Sequence, residues 1–404
     1  MDSGGTKAIV RQSRRALRAI IDNPCVPQTP SPDANGAAAR QLQNLIASDI
    51  RAAGGWLPFD RVMQQALYAP GLGYYASDSR QFGAWAEDGS DFVTAPELSP
   101  MFGSTLAVQV AQALRATGTD EIWEFGAGSG ALAAQVLDEL ARLGQPLARY
   151  TIVDVSGALR ARQQERLAAH GPRVRWADRL PEALRGVVLG NEVLDAMPVQ
   201  LLARVDGLWH ERGVTVNGAG QLAWQDRPTG LRPPVEIEGP HDYLTEIHPQ
   251  AEAFIRTLGD RLVRGAAFFM DYGFGESEYY HPQRHMGTVM CHRAHQADDN
   301  PLLDVGLKDI TAHVNFTGIV LAAQEQPLPP GQEWQLLGYT TQAHFLINAG
   351  LLPKMELQPL EGRAVAAKLI MEHEMGELFK VLALCKGEPW DALGFVQGDR
   401  THRL

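Results

Sequence analysis

The sequence predicts an α/β protein built on a parallel, doubly wound sheet. The first observation is a strand-like segment at residues 121–125 that runs into Gly126-Ala127-Gly128-Ser129-Gly130 and out through a series of strong helix formers at 131–143. Strand, glycine turn and helix in that order form the entry unit of a nucleotide-binding sheet. The second is repetition. Residues 150–155 end near Asp154 and precede a helical stretch at 158–169, residues 174–176 lead to Asp178, and residues 186–190 end at Asn191-Glu192. Strands each followed by helix or loop are the sequence form of a parallel sheet. The third is length: 404 residues exceed what one core usually serves, so large insertions or a second domain are expected.

The elements before the glycine turn are helical. Residues 1–39 read as an N-terminal arm and a linker carrying Pro24, Pro27, Pro30 and Pro32. The arm holds Lys7, Arg11, Arg14, Arg15 and Arg18. A solvated helix or disordered arm is the expectation, and a mitochondrial transit segment the alternative. Leu42, Leu45, Ile46 and Ile50 have helical spacing, residues 59–67 form another helix ended by Pro70-Gly71, and residues 101–114 a third. Between the last two lies a long aromatic and polar loop. Such loops are functional or disordered, and these aromatics argue for function.

The character changes after Pro198. Short strand-like runs surround Asp206-Gly207 and Asn217-Gly218, both hairpin signals, so residues 204–248 read as an antiparallel insertion. The core resumes with a helix at 249–263 and a buried strand at 266–271 ending in Asp271-Tyr272-Gly273. Residues 275–315 are a polar, histidine-rich loop insertion. Helices at 319–323, 341–349 and 362–374 and strands at 334–339 and 379–385 complete the core to residue 390, with a tail at 391–404.

Composition narrows the function. Net charge is −11, which excludes a general nucleic-acid binder. The three cysteines, Cys25, Cys291 and Cys385, form no CxxC pair, so neither a zinc ribbon nor a disulfide framework is indicated, and a reducing compartment fits. No apolar run approaches the roughly 20 residues that span a bilayer, so no membrane insertion is expected. His281, His285, His292 and His295 lack ligand spacing beyond one pair, and no metal is expected.

The glycine turn admits two ligands. As GxGxxA, residues Gly126, Gly128 and Ala131 suit a dinucleotide. As ExGxGxG, from Glu124 to Gly130, they suit S-adenosylmethionine. Glu124 decides between them: a carboxylate repels a pyrophosphate and complements an ammonium and a sulfonium. Asp154 at the end of the next strand is placed to accept from both ribose hydroxyls. Asp178 is a candidate for the adenine amino group, and a solvated strand-end acid serves equally well as an explanation.

Longer strings then carry a resemblance. Gly73-Tyr74-Tyr75, residues 89–103 (GSDFVTAPELSPMFG), Glu124 to Gly130, Asp154-Val155-Ser156, residues 191–198 (NEVLDAMP), Asp271-Tyr272-Gly273, residues 309–316 (DITAHVNF) and residues 375–382 are similar to the class I methyltransferases that include the mitochondrial complex I assembly methyltransferase and its bacterial homologues. The resemblance spans roughly residues 40–385. It implies a seven-stranded, Rossmann-like methyltransferase sheet with an antiparallel last strand, an N-terminal helical segment and active-site loop at 40–115, a core in two parts at 116–203 and 249–390, S-adenosylmethionine as donor and a protein arginine as acceptor. Where the family pattern reads TLRxYRxH, this chain reads Thr288-Val289-Met290-Cys291-His292-Arg293-Ala294-His295.

Carboxylates answer the chemistry of an arginine acceptor, because they hold guanidinium N–H groups and offset the charge. Glu192 and Asp195 follow the fourth strand at the carboxyl edge of the sheet and are the expected catalytic pair, with Asp195 as a helix cap the competing reading. Asn191 joins Glu124, Gly126, Gly128, Gly130, Asp154 and Asp178 in the expected cofactor set. Tyr75, Asp91, Thr94 and Glu97 form the expected substrate loop, with a self-capped turn equally weighted for Thr94 and Glu97. Asp309 and His313, four apart, suggest a structural pair on a local helix. The alternatives are an NAD-dependent oxidoreductase and a non-catalytic assembly factor that keeps the fold. A protein substrate such as a respiratory complex I subunit, a homodimer as a further option, and a cytoplasmic location with the mitochondrial matrix as alternative complete the expectations.

Overall fold

Apolar side chains run almost unbroken along the central strands, as in a parallel sheet covered on both faces. In the computed structural model, which describes residues 34–76, 93–154, 156–293 and 296–404, these strands are β1 (Glu121–Phe125), β2 (Arg149–Val153), β3 (Val174–Ala177), β4 (Leu184–Asn191), β5 (Leu262–Phe274), β6 (Trp334–Thr341) and β7 (Phe379–Lys386). Val187, Leu189, Ala266, Phe268 and Met270 face one layer, packed with Leu106, Val110, Leu132 and Val136 of the helices Pro100–Thr117 and Ala131–Arg142. Val188, Ala267 and Phe269 face the opposite layer, with Ile255, Leu258, Ile319 and Val320 of the helices Pro249–Arg261 and Phe316–Gln324.

The spatial order is β3-β2-β1-β4-β5-β7-β6. Strands β1 to β5 run parallel, and β7 is antiparallel to both β5 and β6. A two-residue strand, Val314–Asn315, joins the end of β5, so the sheet counts eight strands. Chain order reverses between β1 and β4. In open α/β sheets ligands bind in the crevice that this reversal opens at the carboxyl ends of the strands.

A second, antiparallel sheet holds Gln200–Val205, Leu208–Val216, Leu222–Pro228 and Tyr243–Ile247. Asp206 (φ +49°) and Gly207 (φ +78°) make its first turn, where two left-handed residues match the strand twist. Its fifth strand is Leu57–Pro58, contributed from before the core and paired with Leu208–Val216. Two residues without alternation give no periodic signal, and the sequence does not reveal them. Residues 39–404 make one unit and residues 1–38 another. Among the described residues, no helix is long and apolar enough to cross a membrane.

The local helix expected through Asp309 and His313 does not form. Asp309–Thr311 is a strand paired with Met290–Arg293 in a small third sheet. Ile310, Ala312 and Val314 are all buried, and this period-two burial overrides the i, i+4 spacing of the polar pair.

Candidate functional site

The glycine turn closes the carboxyl end of β1. Gly126, Gly128 and Gly130 have φ of +61°, +52° and +83°, a left-handed region that disfavours side-chain-bearing residues. Gly130 is the N-cap of the Ala131–Arg142 helix, which leaves the N–H groups of its first turn directed at the crevice. A Cβ on Gly126 would sit 3.1 Å from Val193 Cγ2, so the turn and the segment after β4 approach closely.

Two acids flank this turn. Glu124 is buried and accepts a hydrogen bond from Tyr150 Oη at 2.8 Å. Burial, with the Asp154 charge nearby, pushes its carboxyl up to about 8. Asp154 accepts from the Ser156 N–H at 2.9 Å and from Gln163 Nε2 at 2.8 Å. The same Gln163 amide donates to the Gly128 carbonyl at 2.9 Å, and its oxygen accepts from Trp176 Nε1. Gln163 thus ties the acid of β2 to the glycine turn. Nothing in its sequence surroundings marks it: it reads as one more polar residue on a helix. Asp178 sits apart, with a side chain 76% exposed and ion-paired to Arg160. It does not line the cavity.

The second half of the site follows β4. Glu192 takes a left-handed backbone (φ +53°), and its N–H donates to the Met270 carbonyl at 2.9 Å. Asn191 Nδ2 donates to Glu192 Oε1 at 2.9 Å, and the Ala95 N–H gives a further hydrogen bond. No helix begins at 196–198, so Asp195 is not a helix cap. The turn is held instead by Asp271 of β5, whose Oδ2 accepts from the N–H groups of Val193, Leu194 and Asp195 at 3.1, 2.8 and 3.3 Å. Asp195 is 4% exposed, and its Oδ1 is buried with no hydrogen-bond partner. Burial, then the charges of Asp271 and Asp309, push Glu192 up to about 8. Burial and the charges of Asp271, Glu192 and Asp309 hold Asp195 well above the usual carboxylate range.

The loop before the core completes the walls. Thr94 is the N-cap of the short helix Ala95–Leu98 but makes no side-chain cap bond. Glu97 does not cap the turn either, because Ser129 of the glycine turn and Arg166 both hydrogen-bond its carboxylate. Tyr75 Oη donates to Asp309 Oδ1 at 2.8 Å, and its ring stacks on Tyr68 at 5.6 Å. Tyr68 Oη donates to the Ala196 carbonyl at 2.9 Å. The expected pairing of Asp309 with His313 is therefore replaced by one with Tyr75, since Asp309 lies on a strand facing the site. Asp91 and His295 fall outside the described residues.

These pieces enclose one cavity of about 290 Å³. It brings together Glu124, Gly126, Gly128, Asp154, Asn191, Glu192, Asp195, Tyr75, Thr94 and Glu97, and adds Tyr68, Tyr272, His292 and Asp309. Six of the described lining residues are carboxylates and none is Lys or Arg. Such a lining favours cationic occupants and disfavours a pyrophosphate. The glycine cradle and the unpartnered Asp195 oxygen, brought into one cavity, fit a donor carrying a sulfonium and an ammonium beside a second cation.

Unfilled, the cavity weakens the fold at alkaline pH. Glu192 holds its proton in the folded state up to about 8, against 4.5 when exposed, so the folded state binds more protons across that window and stability falls as pH rises through it. Glu192→Gln removes this penalty. Without ligands, the variant is expected to match the wild type near pH 4.5 and to exceed it by about 1–2 kcal/mol at pH 8.5 in urea melts. An unchanged difference between the two pH values would contradict the assigned protonation.

Comparison with known proteins agrees with this geometry. Residues 105–330 match the family model for S-adenosyl-L-methionine-dependent methyltransferases. The chain is 29% identical over 398 residues to a Drosophila melanogaster protein named protein arginine methyltransferase NDUFAF7 homolog, mitochondrial, covering 87% of this chain and 86% of that one. It is 27% identical to the Danio rerio protein arginine methyltransferase NDUFAF7, with 82% of each chain covered. A Burkholderia thailandensis crystal structure bound to S-adenosyl-homocysteine is 49% identical, with a TM-score of 0.87 over 93% of this chain and all of that one.

Proposed function

The chain belongs to the S-adenosyl-L-methionine-dependent methyltransferase family, and from that membership we propose that it transfers the methyl group to an arginine of a protein. It is a methyltransferase that uses S-adenosylmethionine; the acceptor is the part proposed. One observation carries the acceptor: Glu192 and the unpartnered Asp195 oxygen stand buried in the same cavity as the glycine turn, with no Lys or Arg among its described lining residues. The names of the Drosophila and zebrafish relatives support it. A respiratory-complex subunit is the acceptor protein implied by the sequence resemblance. Cys291 and Cys385 are buried and free, which fits a reducing compartment such as the mitochondrion named for those relatives.

S-adenosylmethionine supplies an already activated sulfonium methyl. The glycine turn, Glu124, Asp154 and Asn191 would hold it; Asp178, exposed and paired with Arg160, is left out of this set. What remains for the protein is placement and exclusion of water. A guanidinium is planar, delocalised and always charged, so its nitrogen is a poor nucleophile until two carboxylates fix its N–H groups and offset its charge. Glu192 and Asp195 take this role, with Tyr68, Tyr75 and Tyr272 as walls for the planar group. The reacting nitrogen gains a methyl and gives up one proton. Glu192, whose carboxyl titrates at about 8, is the nearest fit to receive it. An NAD-dependent reading is disfavoured by the six carboxyl groups that line the cavity.

The test is incubation of the protein with label-bearing S-adenosylmethionine and cell extract, followed by acid hydrolysis and amino-acid analysis. The label is expected in methylarginine. Label confined to methyllysine or to base-labile esters would contradict the proposal.

A further inference from the structure

We propose that Asp271 is a positioning residue for the acceptor, its buried carboxylate holding the Glu192–Asp195 turn at the cavity through three consecutive main-chain N–H groups. This rests on the arginine reading above. Asp271 does not line the cavity and touches neither donor nor acceptor space directly. It is 1% exposed and follows Met270, which pairs in register with Asn191 of β4. Oδ2 accepts from Val193, Leu194 and Asp195, and Oδ1 accepts from the Tyr272 N–H at 2.9 Å.

The geometry makes this anchoring consequential. Residues 193–195 belong to no helix or strand, so no ladder would satisfy their N–H groups. Glu192 sits in a left-handed conformation that a side-chain-bearing residue keeps only where its surroundings enforce it. Two adjacent points of β5 enforce it: the Met270 carbonyl takes the Glu192 N–H, and Asp271 takes the next three. The direction of both cavity acids is thereby set from β5, some 75 residues away in sequence.

Asp271 also contributes charge. Glu192 and Asp195 face it from the turn, and Tyr272 adjoins it. From β7, Lys380 lies in register with Asp271, but its ammonium hydrogen-bonds the carbonyls of Glu377 and Leu378. Burial pushes the Asp271 carboxyl up to about 7 against the pull of the Leu194, Tyr272, Asp195 and Val193 N–H groups, so above that pH its charge is met by main-chain N–H groups and repels charge on Glu192 and Asp195. Burial and the neighbouring charges hold those two acids toward the protonated form, and an entering guanidinium draws their ionisation.

The probe is 5′-thioadenosine carrying a guanidinopropyl arm, titrated by calorimetry into the full chain from pH 6 to 9, with S-adenosyl-homocysteine as the cofactor-only control. Asp271→Asn is expected to weaken the probe at least about tenfold while S-adenosyl-homocysteine stays within about twofold. The pH midpoint for probe binding should fall by about one unit, because a charge beside Glu192 is gone. Asp271→Glu, which keeps the charge and misplaces it, should lose affinity with the midpoint held. A purely structural residue would not move the midpoint. Wild-type affinity and midpoint in Asp271→Asn would overturn the proposal. If that variant fails to bind S-adenosyl-homocysteine, Asp271→Glu decides: lost probe affinity supports the role and wild-type affinity overturns it. A wild-type protein that binds the probe no better than an aminopropyl counterpart would remove the arginine reading itself, and the role of Asp271 with it.

Discussion

Glu192→Gln is expected to slow methyl transfer by about three orders of magnitude while changing S-adenosylmethionine affinity by less than about threefold. The substitution keeps size and shape, so the Met270 carbonyl and the Asp271 carboxylate still hold the turn. It replaces a carboxylate oxygen by an amide that presents N–H to N–H against a guanidinium, and it removes the acceptor for the departing proton. Cofactor binding is spared because the variant keeps the side-chain oxygen that accepts from Asn191 and leaves the glycine turn, Glu124 and Asp154 unchanged. Measuring the gain in ligand-free stability at alkaline pH alongside the rate checks that the variant is folded. Single-turnover transfer alongside calorimetry separates the two quantities. Transfer at the wild-type rate would remove Glu192 from the chemistry.

Asp154→Ala should act on the opposite step. Loss of a buried charged acceptor placed for the ribose hydroxyls, and of the Gln163 bridge to Gly128, is expected to weaken S-adenosyl-homocysteine about 100-fold, or about 2.7 kcal/mol. Asp178→Ala is the matched control. Exposed and paired with Arg160, Asp178 should leave affinity within about twofold. Comparable losses in both variants would mean that position in the strand pattern, not the observed burial, predicts cofactor contact.

What the sequence revealed and what it hid follow from the range of each interaction. Glu124, Gly126, Gly128, Asp154 and the 191–195 segment end strands that are neighbours in the sheet, so their convergence follows from parallel-sheet topology alone. Asp178 ends a strand too, but β3 is the edge of the sheet and its end faces solvent. Topology delivers a strand end to the crevice only near the reversal point. The anchoring by Asp271 and the pairing of Tyr75 with Asp309 cross long sequence separations. No local periodicity encodes them. Tyr150 was hidden for another reason: mid-strand and buried, it reads as core, and only its Oη contact with Glu124 gives it a polar role. The i, i+4 spacing of Asp309 and His313 misled because three apolar residues between and beside them bury with period two.

The proposed mechanism has one cavity place a guanidinium against the methyl donor. It is tested most directly by comparing two compounds by calorimetry at pH 8: 5′-thioadenosine bearing a guanidinopropyl arm and the same nucleoside bearing an aminopropyl arm. Two carboxylates can grip a planar, multidonor group at two points but a compact ammonium at only one. The guanidino compound is expected to bind at least about tenfold more tightly, with the advantage lost in Glu192→Gln. Equal affinities, or preference for the amine, would contradict an arginine acceptor.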